Sequence, residues 1–95
     1  MKPPAYIDGA KVIMWAWSGS QPFGYVEMID SPQSEEVYGL AICQYENSHI
    51  FNRFSCDSDW ETVQDGVYAT VEDAIRLLPD QYKNIKANWH LFETS

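Results

Sequence analysis

Between Val37 and Cys56 the side chains alternate in character, and the alternation survives a short polar interruption at Glu46-Asn47-Ser48. Before the break, Tyr38, Leu40 and Ile42 alternate with Gly39, Ala41 and Cys43. After it, Ile50, Phe54 and Cys56 alternate with Phe51, Arg53 and Ser55. A period of two belongs to extended backbone, whose successive side chains project to opposite faces. Two such runs joined by a tight polar turn form an antiparallel hairpin, with strands expected at Val37–Tyr45 and His49–Cys56. This hairpin is the clearest period-two stretch in the chain.

Upstream, Met1 to Gly9 reads as a leader with two prolines and an Asp-Gly turn signal. Ala10 to Trp17 is β-branched and aromatic and reads as a strand. After a turn at Ser18 to Pro22, a second strand is expected from Phe23 to Ile29. It carries Phe23, Tyr25, Glu27 and Ile29 on one face and Val26 and Met28 on the other. Asp30 to Glu36 reads as a polar loop. Downstream, Asp57-Ser58-Asp59 is turn chemistry, Trp60 to Val63 reads as a short strand, and Asp65-Gly66 as another turn.

The chain has one strong helix start. Thr70 is a good N-cap, with Asp73 three residues on in capping-box position, and Glu72 and Asp73 set negative charge at the positive end of the dipole. Val71, Ala74, Ile75 and Leu78 make an apolar stripe at helical spacing, and Pro79 ends the regular helix near Leu78. A further turn is expected through Tyr82, and a closing strand within Lys86 to Phe92. Short connections between successive strands favour antiparallel neighbours. The expected fold is α+β: one domain over residues 1–95, an antiparallel β-meander sheet of about five or six strands with one short α-helix packed on one face.

A chain of 95 residues supports one hydrophobic core and not two. Its 14 acidic against 6 basic residues leave a formal charge of −8. That field repels phosphate backbones and anionic headgroups, so neither nucleic acid nor a membrane surface is an expected partner, and a basic protein is. Val12 to Trp17 is far short of the roughly 20 residues of a membrane helix, and no signal-peptide layout precedes it. The expected location is cytoplasmic. Cys43 and Cys56 fall several residues out of register on the hairpin. Four residues of strand span about 13 Å, beyond the roughly 7 Å a disulfide tolerates. Both are expected as buried, reduced thiols.

Four features carry candidate chemistry. Asp57, Asp59, Glu61 and Asp65 lie in a stretch without a Lys or Arg between Arg53 and Arg76, and in extended backbone the first three share a side. With Trp60 as an aromatic anchor, they form a candidate partner-binding surface, and Glu35 and Glu36 are candidate rim charges. Turn formation by Asp57 and Asp59, and capping by Glu72 and Asp73, account for part of that acidity without a partner. The segment does not fit a calcium loop: Thr62 stands where glycine is needed and Tyr68 where the closing Glu belongs, so no metal is expected. Cys56 or Cys43 with His49 or His90 would supply a thiol–imidazole pair, but Cys43-x5-His49-x6-Cys56 matches no zinc or protease spacing. Trp15 and Trp17 share a face opposite Met14 and Ala16, as an open contact patch or as a surface covered by the leader through Tyr6 and Ile7.

The segments YGLAIC, FNRFSCDSDWETVQD and TVEDAIRLLPDQY, between Tyr38 and Tyr82, give strand, turn, a Cys-Asp-x-x-Trp-Glu strand, an Asp-containing turn and a short capped helix. This layout, over roughly half the chain, resembles small acidic bacterial immunity-type proteins encoded beside polymorphic toxins. The resemblance implies an inhibitor that occludes a cognate toxin, often a basic nuclease, by charge and shape. No catalytic residue carries over, and no cofactor is expected. The expected function is a non-enzymatic binding or inhibitor protein acting on a basic protein partner. The alternatives are a small thiol-dependent enzyme and a structural homodimer that pairs its sheet face or edge.

Overall fold

The computed structural model describes residues 1–27, 29, 33–83 and 85–93. The expected hairpin is its centre. A strand at Gly39–Gln44 (β5) pairs antiparallel with one at Phe51–Cys56 (β6), with Gly39 opposite Cys56 and Cys43 opposite Asn52. That register sets the two cysteines four positions apart along the hairpin, and both are free and buried. The earlier strands are Tyr6–Ile7 (β1), Ala10–Trp17 (β2), Gly24–Glu27 (β3) and Ser34–Val37 (β4). The later ones are Thr62–Tyr68 (β7) and His90–Leu91 (β8). The main sheet runs β1-β2-β5-β6-β7, with β8 also pairing β2, and β3 and β4 form a separate two-stranded sheet. All pairings are antiparallel. This is an α+β fold with a meander-like sheet and one short helix.

Several boundaries differ from the sequence reading. The run expected as one strand from Val37 to Tyr45 is divided at Tyr38. Its amide donates to the Cys56 carbonyl and its carbonyl accepts from Ser18, both at 2.9 Å, so the backbone changes sheets there. Ser34 to Glu36, part of the expected polar loop, join Val37 in strand β4, because β3 offers a ladder from Gly24 opposite Val37 to Glu27 opposite Ser34. The expected Phe23–Ile29 strand shortens to Gly24–Glu27: Tyr25 and Glu27 face solvent and Val26 is buried as the alternation requires, but Phe23, expected on the face of Tyr25, is buried in the core; Met28, Asp30, Ser31 and Pro32 lie outside the described residues. Asp65-Gly66 is not a turn. It lies inside β7, with Gly66 opposite Arg53, and the expected Trp60–Val63 strand is replaced by the continuous Thr62–Tyr68. The closing strand shrinks to His90–Leu91.

The helix α1 spans Val71–Arg76, and the Thr70 hydroxyl accepts from the Asp73 amide at 3.0 Å. The Asp73 carboxylate accepts from Arg76 at 2.9 Å, and no bond from the Thr70 amide closes the reciprocal half of the capping box. Pro79 is followed by a 3-10 turn at Asp80–Tyr82. That turn docks on β3 closely enough that a Cβ at Gly24 would strike the Gln81 carbonyl. Tyr82 is buried there with Ala16, Phe23, Val26, Val37 and Leu40.

A second cluster of the core gathers Val12, Ala41, Cys43, Phe54, Cys56 and Trp60, so buried apolar side chains lie on both faces of the curled sheet. Trp15 and Trp17 pack against this cluster, which includes Ile7 from the leader, while Tyr6 stays exposed. The two tryptophans are half-covered, Trp15 by His90 and Trp60 and Trp17 by Tyr38 and Trp60.

Candidate functional site

The loop between β6 and β7 is built around one carboxylate. Asp57 Oδ1 accepts from the amide of Asp59 at 2.8 Å and from that of Glu61 at 3.0 Å. The Asp57 amide donates to the Glu61 carbonyl at 2.9 Å, and the Trp60 amide to the Asp57 carbonyl at 3.1 Å. Charge-assisted bonds of this kind are stronger than neutral ones and hold a short loop in one shape. The segment is thus closed, not extended, and the three acids do not line up on one side of a strand. Asp57 is spent on the loop, while Asp59 and Glu61 are left exposed.

Trp60 faces the other way. Its φ of +63° lies in the left-handed region, costly for a bulky residue. The conformation turns the indole inward, where it is only 6% exposed. Gly39 makes the space: a Cβ there would come within 2.5 Å of the indole ring. Trp17 lies 5.5 Å away and Trp15 6.4 Å away in an edge-to-face arrangement. Trp60 therefore anchors the loop from below and does not present a ring to a partner.

Asp65 lies outside the loop, exposed on β7 opposite Phe54. Glu35 and Glu36 are exposed on β4. Glu36 accepts from the Tyr38 hydroxyl at 3.0 Å, and this bond is the main reason the phenol titrates above its ordinary range. The Tyr38 ring lies 5.9 Å from Trp17, so a chain of aromatic contacts joins Glu36 to the β6–β7 loop through Tyr38, Trp17 and Trp60. The sequence reading placed Glu36 on the rim but gave no role to Tyr38, whose neighbours are set by the break between β4 and β5.

The thiols are arranged unlike a nucleophile. Cys43 and Cys56 are fully buried, and burial pushes both up to about 12. A nucleophilic cysteine needs the opposite shift and an accessible sulfur. His90 rests on the Trp15 ring at 4.7 Å, and His49 is exposed beside the β5–β6 turn. Native protein at pH 7.5 is expected to resist iodoacetamide, both thiols reacting only after unfolding. The same burial sets a pH dependence. An unfolded thiol ionises near 9 while the folded one stays protonated to about 12. The unfolded state then binds fewer protons, so stability falls through that window by about 1.4 kcal/mol per thiol per pH unit. Urea unfolding at pH 8 and pH 10, with Cys43→Ala and Cys56→Ala as controls, measures it.

Among the described residues, no three His, Cys, Asp or Glu side chains gather as a metal site, and no helix is long and apolar enough to cross a membrane. Compared with protein-family models, curated proteins and solved structures, the chain matches none.

Proposed function

We propose that this chain is a non-enzymatic binding protein that neutralises a basic protein partner, such as a toxin, by covering it with an acidic surface. The surface is Asp59 and Glu61 on the β6–β7 loop, Asp65 on β7 and Glu36 at the rim. Asp57 and Trp60 belong to its support. One observation carries the reading: Asp59 and Glu61 stand exposed on a loop already locked by the Asp57 carboxylate above and the Trp60 indole beneath. A loop ordered before binding loses little entropy on association, and fixed like charges raise the rate at which an oppositely charged protein arrives. The chain's overall charge of −8 adds to that steering.

Affinity capture from a lysate of the native organism, at low and high salt, tests this reading. Wild-type protein is expected to retain a basic protein at low salt and release it at high salt. The double variant Asp59→Lys/Glu61→Lys should lose that partner while keeping its unfolding midpoint, because both side chains are exposed and neither carboxylate supports the loop. Equal capture by the double variant would move the contact surface elsewhere.

A further inference from the structure

We propose that β7 is a strand-addition site, taking an extended basic segment of the partner as the next strand of the main sheet; this rests on the acidic-surface reading above. The sheet order ends on β7, and among the described residues β6 is its only strand partner. An edge strand offers unpaired N–H and C=O groups outward along its length, a template for another chain. After an irregularity at Ser55/Cys56, Gln64 to Tyr68 pair in regular register with Ser55 back to Phe51, so this half of the edge carries no register shift. At the other side of the sheet, β1 and β8 have two residues each.

The side chains select the occupant. Asp65 and Val67 share one face, and Val67 is 56% exposed, an apolar side chain left uncovered beside a carboxylate. Directly opposite cross-strand pairs of unlike charge are favourable and of like charge unfavourable. A second copy of this chain brings the same acids and the same net charge of −8, so self-pairing is opposed. The geometry fits a partner strand with a Lys or Arg opposite Asp65 and an apolar residue two positions away opposite Val67. Glu61, just before β7, and Asp59 would steer such a segment to the edge. Backbone hydrogen bonds would supply affinity and the charge pair would supply choice.

The test uses a synthetic peptide with a lysine-threonine-valine-threonine repeat, which sets lysine and valine on one face. Its control carries N-methyl groups on two adjacent central residues, blocking both edges without changing charge. The plain peptide is expected to bind and to slow amide hydrogen exchange within Gln64 to Tyr68. The methylated peptide should bind roughly tenfold more weakly or worse, and so should the plain peptide to Asp65→Lys protein of native unfolding midpoint. Equal binding of both peptides would overturn strand addition and leave the acidic-surface reading standing. No binding by the plain peptide, or a dimer of the protein alone with these amides already protected, would also overturn it.

Discussion

Replacing Trp60 with alanine is expected to remove about 3–5 kcal/mol of stability, a large share of the roughly 5–15 kcal/mol that holds a domain of this size together. The indole fills the space left by Gly39 and touches both Trp15 and Trp17, so its loss leaves a cavity lined by their rings. The backbone adds a sharper expectation. Alanine at position 60 would keep the left-handed strain that Trp60 bears at φ +63°, whereas glycine would relieve it. Trp60→Gly should therefore be the less damaging variant by about 1 kcal/mol, the reverse of the usual order of glycine and alanine. Denaturant unfolding of the two variants beside wild type measures both effects. Were Trp60 a partner anchor instead, both variants would keep the wild-type midpoint and lose only binding.

Arg53→Met is expected to cost about 2–3 kcal/mol in the same measurement. Arg53 is a cation 6% exposed, and burial lowers its pKa. Its Nη1 donates to the Ala74 carbonyl at 2.6 Å, one of the last-turn carbonyls of α1 that no amide within the helix satisfies. The guanidinium also lies 4.6 Å from the centre of the Tyr68 ring, which fits because Gly66 has no side chain: a Cβ there would come within 2.9 Å of the Tyr68 hydroxyl. Methionine keeps the length of the stem but leaves the carbonyl unpaired in the interior. Removing the buried charge returns part of its desolvation cost, which holds the net loss below the sum of the two contacts. Arg53→Lys should fall between the two, since an ammonium keeps the charge but not the planar stack.

How far the sequence was legible follows from the range of each interaction. The β5–β6 hairpin, the Ala10–Trp17 strand and the Thr70 cap were readable because alternation and capping are written in neighbouring residues. The two separated thiols followed from register alone. Asp65-Gly66 misled because this dipeptide is a turn signal in isolation. In place, its glycine serves the Arg53–Tyr68 contact across the strand, a reason no local window contains. The acids of the candidate site were visible, but their roles were not. Asp57 became the loop's internal acceptor, and Trp60 turned from presumed anchor to buried support.

The sequence by itself determined the class of fold, the β5–β6 hairpin, the start of the helix α1 and a net charge of −8. Each of these depends on period, cap chemistry or summed charge, which act locally or do not depend on position at all. Only the tertiary structure decided which acids face solvent, that β4 leaves the main sheet at Tyr38, that Trp60 enters the core, and that β7 runs unbroken to the sheet's edge. Those outcomes turn on where side chains far apart in sequence meet: Gly39 beneath Trp60, Gly66 beside Arg53, Gly24 against Gln81. At each, a missing Cβ matters only once its neighbour is known.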